Sequence, residues 1–265
     1  MIIDPLKNIG NLDARAVRRV FEFIRQTQNE IIAAIEDARG FKQENLRNLL
    51  ARLQAVIEDF KKRYAQILVK EFGAAFQAAT KATDAGFKAA GIELAKPLLT
   101  VDQVEIVNQS LQMLPSISRI YGSVMPKVER VIGQAVLGRF TVTESIDAIK
   151  GIFKTDAAYR SERLVRNEVS RALNFATVKR GNDAAQVNQD IKKFWLHTHD
   201  RRTRLTHVKA GNATNPRLGG TPIPMNAKFE VGGFSANAPQ DTSLPAQESI
   251  HCRCRLGFVV PQEKS

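Results

Sequence analysis

A chain of 265 residues is long enough for one large domain or two ordinary ones, each with a real core. With 43% hydrophobic and 25% charged residues it has the composition of a globular protein, not of a disordered or collagenous one. Its net charge of +12 favours a polyanionic neighbour without naming one, and the excess is spread: 28 basic and 21 acidic residues over 1–189, 11 and 6 over 190–265. The opening MIIDPLKNIG lacks the basic-then-apolar order of a secretory signal, and no run approaches the roughly 18 apolar residues of a membrane span. A cytosolic setting with reduced cysteines is therefore expected.

Residues 13–38 carry Val17, Val20, Phe21, Ile24, Ile31 and Ile35 at helical spacing, with Gly40 as a stop. A long helix over about 43–80 follows, because Leu46, Leu50, Leu53, Ile57, Phe60, Tyr64 and Ile67 alternate steps of four and three, the rhythm of a coiled-coil seam. That seam needs a partner, either the preceding helix folded back or another chain. Residues 81–99 are rich in Ala and Gly, and Pro97 marks a break. The spacing then predicts helices over 100–114 (Thr100 and Gln103 as a capping box), about 116–138, 142–153 (Thr141 and Glu144 as a second box) and 156–180, the last starting behind Thr155 and stopping at Gly181.

After residue 190 the texture changes. Gly, Pro, Asn and Thr accumulate, and all four His, both Cys and the single Trp appear. KFWLHTH alternates like a strand, RTRLTHVKA fits a short helix closed by Gly211, one short strand fits AKFEV, and SIHCRCRLGFVV alternates again. The expected fold is thus mostly α with a small C-terminal α+β domain, divided into a helical region 1–115, a helical region 116–190 and a module 191–265.

On a strand Cys252 and Cys254 share a face with Leu256, Phe258 and Val260, so they read equally as small buried core residues. Two thiols on one face, with His197, His199, Asp200 and His207 in a neighbouring segment, also suit a tetrahedral zinc site; Cys252, Cys254, His207 and His199 are the candidate ligands, and zinc is the only cofactor suggested. A Cys252–Cys254 disulfide would close a small strained ring. A thiol or metal hydrolase, a nuclease included, can be drawn from His207, Cys252 and Asp200, but no phosphate loop, zincin motif or paired carboxylates support it. Arg201, Arg202 and Arg204 form a basic run that reads as a nucleic-acid contact or as a solvated face. Asp200 is expected to pair with an arginine, cap the helix at 201–208, or meet His207.

Three ordered blocks, SERLVRNEVSRALNFA (161–176), WLHTHDRRTRLTHVKAGN (195–212) and PQDTSLPAQESIHCRCRL (239–256), resemble the phage Mu protein F-like minor head protein family, also called the phage head morphogenesis domain. The matching positions are Arg166, Glu168 and Asn174 on the helix, then Trp195, Asp200, Arg202, Thr203, Arg204, His207 and Gly211, and finally Pro239, Glu248, Cys252, Arg253 and Cys254. RNE stands where the family more often has RTE, and His251 where it has Asn. The resemblance covers about residues 120–258. It implies a minor capsid protein with no established enzyme activity, assembled in the host cytoplasm and bound at the portal vertex inside the capsid. The partners it implies are the portal protein, a major capsid or scaffolding protein, and packaged DNA during packaging or ejection. The 46–67 seam is then the expected portal-docking or self-association surface.

Overall fold

The computed structural model describes residues 1–7, 9–38, 43–95, 119–120 and 122–261. The protein is mostly α with a small α+β part near its C-terminus, as the sequence predicts. The helix expected over 100–114 lies outside the described residues. Two compact units interleave along the chain: one comprises Ala14–Lys70 and Val107–Val165, the other Met1–Asp13, Glu71–Ile106 and Arg166–Ser265.

In the first unit, helix α1 (Leu12–Asp37) buries Val17, Val20, Phe23, Ile24, Ile31 and Ile35. Helix α2 (Gln43–Ala89) runs nine residues beyond the expected end: no proline falls within 81–89, and the hydroxyl of Thr83 donates back to Ala79 O, so Thr83 continues the helix instead of ending it. The seam packs on its own chain. Phe60 stacks on Phe23 at 5.1 Å between ring centroids and Tyr64 tilts against Phe23 at 6.2 Å, while Leu53, Ile57 and Leu68 are buried and Leu50 faces solvent. Helix α3 occupies 122–136. Helix α4 (Val142–Ile152) begins with the predicted capping box, the Thr141 hydroxyl accepting from Glu144 N–H and the Glu144 carboxylate from Thr141 N–H. The expected break before residue 156 is absent. A single wider turn, Phe153–Ala157, carries α4 straight into α5 (Ala158–Val187), and the Thr155 hydroxyl, instead of capping α5, donates back to Gly151 O.

In the second unit a four-stranded antiparallel sheet has the order β1 (Ile2–Ile3), β6 (Arg255–Val259), β2 (Lys192–Leu196), β3 (Ile223–Pro224). The central pair aligns Trp195 with Leu256 and Phe194 with Gly257. A hairpin of β4 (Phe229–Val231) and β5 (Phe234–Ala236), helix α6 (Leu205–Thr214) and a one-turn helix α7 (Ala246–Ser249) complete it. Its core joins Ile3, Phe87, Ile191, Trp195, Phe229, Cys252, Cys254, Leu256 and Phe258. Gly181 does not stop α5. It lies inside the helix, where a Cβ would sit 2.5 Å from the Phe258 ring, so its small size permits close helix–strand approach. Gly211 likewise falls inside α6, its Cα pressed against the His197 ring.

Candidate metal centre and the adjoining cleft

Trp195 on β2, His207 on the first turns of α6, and Cys252 and Cys254 leading into β6 meet because β2 and β6 are sheet neighbours and α6 packs on β2. His207 Nδ1 lies 3.3 Å from Cys254 Sγ and 3.5 Å from Cys252 Sγ. All three side chains are buried, their ligand atoms lie within 4.8 Å of one another, and the group can hold a metal ion. The opposite ring nitrogen, Nε2, stands 3.0 Å from Glu248 Oε2, which also accepts from the Thr206 hydroxyl at 2.9 Å. A carboxylate that accepts from Nε2–H leaves the Nδ1 lone pair facing the sulfurs.

The two thiols titrate as a pair. The Cys252 thiol donates to Cys254, which lowers the Cys254 thiol against the cost of burial. The same hydrogen bond and burial push Cys252 far up. As metal ligands both cysteines would be thiolates, the form that binds metals.

Of the four ligands anticipated, His207, Cys252 and Cys254 converge; His199 does not join them but tilts against His197, ring centroids 4.3 Å apart. His197 is held near Thr198 O and Asn212 Oδ1. Asp200 takes the first of its anticipated roles: Arg253 binds it at 2.6 and 2.8 Å, and with Arg202 N–H and the Thr203 hydroxyl also donating, its carboxyl is held far below the usual range. The guanidinium of Arg204 donates to Ile250 O at 2.6 Å, while Arg201 and Arg202 are exposed. On α5, Arg166 pairs with Asp13 and Glu168 with Arg171, and Asn174 donates to Ser170 O and Cys254 O. Burial raises the Glu168 carboxyl against the pull of Arg171. Sequence reasoning missed Thr206 and Gly232, which both press on Glu248; the adjacency of Thr206 to His207 was the available signal.

Alternation turns Cys252 and Cys254 inward and leaves Arg253 and Arg255 outward, on the wall of a cleft of about 600 Å³. Its lining includes Asp4, Asp13, Asn174, His197, His199 and Arg217 besides those two arginines. Arg255 is fixed by Leu6 O at 2.5 Å. One oxygen of Asp4, Oδ1, is buried with no hydrogen-bond partner among the described residues.

Comparison with known proteins gives one informative similarity. The chain is 28% identical over 172 residues to NAD(+)–arginine ADP-ribosyltransferase EFV of Enterococcus faecalis. The aligned part is 64% of this chain but 34% of the transferase, so the chain spans about a third of the relative's length. No family model and no solved structure matches.

This finding overturns the expectation of a phage minor head protein without enzyme activity and lends no support to its hydrolase alternative: the similarity runs to an ADP-ribosyltransferase. The physical reason for the misreading is visible in the fold. Residues that carried the resemblance brace this unit internally, Arg166 to Asp13, Asn174 to Cys254 O, Arg204 to Ile250 O and Glu248 to His207. Such bracing specifies a packing arrangement and leaves the function open.

Proposed function

We propose that this chain acts in ADP-ribosyl transfer from NAD+, with the dinucleotide held in the cleft beside the His/Cys centre. The similarity to the E. faecalis transferase carries this reading. The cleft supports it, since about 600 Å³ lies within the usual size of a cofactor site and Arg217, Arg253 and Arg255 suit a pyrophosphate. In transfer to arginine, a guanidinium nitrogen attacks C1′ of the nicotinamide-bearing ribose. The C1′–nicotinamide bond breaks with its electron pair going to nicotinamide, and the guanidinium loses a proton. A carboxylate near C1′ steadies the cationic ribose and takes that proton. Asp13 is engaged by Arg166, whereas Asp4 has an oxygen with no hydrogen-bond partner among the described residues, so Asp4 is assigned the role.

The test is nicotinamide release from NAD+ in the presence of agmatine as an arginine-like acceptor. We expect release by the purified chain, at least about a tenfold drop in Asp4→Asn, and weaker NAD+ binding in Arg217→Glu. A folded chain that binds no NAD+ at millimolar concentration and releases no nicotinamide overturns the reading.

The metal at His207, Cys252 and Cys254 is proposed to be zinc, because two thiols and an imidazole suit a borderline-soft ion that favours N/S ligands. Its role is structural: it ties the segment bearing Arg253 and Arg255 to α6. Elemental analysis of untagged protein should find about one zinc per chain, with thiols that react only after chelation or unfolding. Metal-free protein with the same buried thiols would make the cysteines simple core residues.

A further inference from the structure

We infer that Glu248 is the positioning residue of the metal centre. It makes no contact with the metal itself and acts by fixing the tautomer and ring orientation of His207; the inference rests on the metal reading above. Three observations converge on its carboxylate. Oε2 receives His207 Nε2 at 3.0 Å, on the side of the ring opposite the sulfurs. The same oxygen receives the Thr206 hydroxyl at 2.9 Å, from the residue preceding His207 on α6. The other oxygen, Oε1, abuts Gly232, where an added Cβ would stand 2.6 Å away. Gly232 has φ of +62°, a turn conformation that joins β4 to β5 and that favours glycine. The carboxylate is thus held by a hydroxyl on one oxygen and walled by a backbone turn on the other.

A buried carboxylate is costly unless it is paired. Glu248 is 6% exposed, and its hydrogen-bond donors are His207 and Thr206. Adding a divalent cation to two thiolates and a neutral imidazole makes a neutral group; the imidazole N–H, polarised by the cation, then becomes a stronger donor to Glu248. Metal binding and the Glu248–His207 bond strengthen one another.

The experiment compares the full chain with Glu248→Gln, Thr206→Val and Gly232→Ala. Zinc affinity is read by competition against a chelator, and the thiolate-to-metal absorption of the Co2+-loaded protein reports ligand geometry. Near-ultraviolet circular dichroism checks the fold. Glu248→Gln keeps size and an acceptor oxygen but loses the charge, and is expected to weaken zinc by about 10- to 100-fold and shift the Co2+ bands with the fold intact. Thr206→Val and Gly232→Ala should move both readouts the same way by less, since each disturbs only the support of Glu248. Wild-type protein that binds no zinc overturns the metal centre and this inference together. Wild-type binding with unchanged affinity and Co2+ bands in Glu248→Gln overturns the inference alone. If Glu248→Gln does not fold, the two supporting variants decide: unaltered zinc affinity in both overturns it.

Discussion

Two glycines show how a residue's meaning depends on what surrounds it. Gly151 lies in α4 with open space where a Cβ would go, so Gly151→Ala trades only backbone freedom and should stabilise by about 0.5–1 kcal/mol. Gly181, also inside a helix, would drive its new methyl to 2.5 Å from Phe258 and 2.8 Å from Met225. Overpacking a filled core costs about 1–3 kcal/mol, which outweighs the helix gain; Gly181→Ala should therefore destabilise by about 1–2 kcal/mol. Urea denaturation of the two variants tests the contrast, and equal signs would show that Phe258 can yield. From sequence Gly181 reads as a helix stop and Gly151 as a residue inside the 142–153 helix, whereas in the structure both lie inside helices and the long-range neighbour Phe258, 77 positions from Gly181, distinguishes them. The same limit applied to the metal group: the chemistry of Cys252, Cys254 and His207 was legible, but the choice of His207 over His199 depended on α6 turning one ring inward.

At the scale of elements, regular periodicity was legible and continuity was not. The apolar rhythms of α1 and α2 are strong, and the stacked Phe23 and Phe60 follow from them. Phe60→Ala should cost about 3–5 kcal/mol in chemical unfolding, since the ring is 7% exposed and its removal leaves a cavity between the two helices. The join of α4 to α5 was illegible because one extra residue in a turn leaves both helices intact while defeating a 3.6-residue count. Strand β2 hides a further departure: Lys193, nominally a surface residue, is 1% exposed, donates to Asn237 O and lies 5.2 Å over the Phe229 ring. Burial, opposed by Asp241, lowers its ammonium to about 8. Between that value and the ordinary lysine value of roughly 10.4 the unfolded chain binds more protons than the folded one, so stability should rise with pH across this window. Lys193→Met should flatten the rise in unfolding free energy between pH 8 and 10; an unchanged slope would assign it to other groups.

At the scale of the whole molecule, the small sheet is assembled from distant pieces. Residues 191–265 carry the His/Cys centre, yet the core around it also uses Ile3 from β1, Phe87 from the end of α2, and Ala184 from α5. Ile3 faces Phe258 in the sheet, and the Phe87 ring lies 5.0 Å from that of Phe258. Sequence reasoning had no access to these joins, because a two-residue strand carries no period and an Ala-rich helix end advertises no partner. A fragment of about 75 residues is already near the lower limit for an autonomous core, and this one would expose Trp195's neighbours and the β6 edge where β1 pairs. Residues 190–265 expressed alone, even with zinc supplied, are therefore expected to lack near-ultraviolet circular dichroism and dispersed amide resonances, while the full chain shows both. If the fragment folds and binds zinc with the affinity of the full chain, the metal suffices to organise the sheet, and Ile3 and Phe87 cover a core that forms without them.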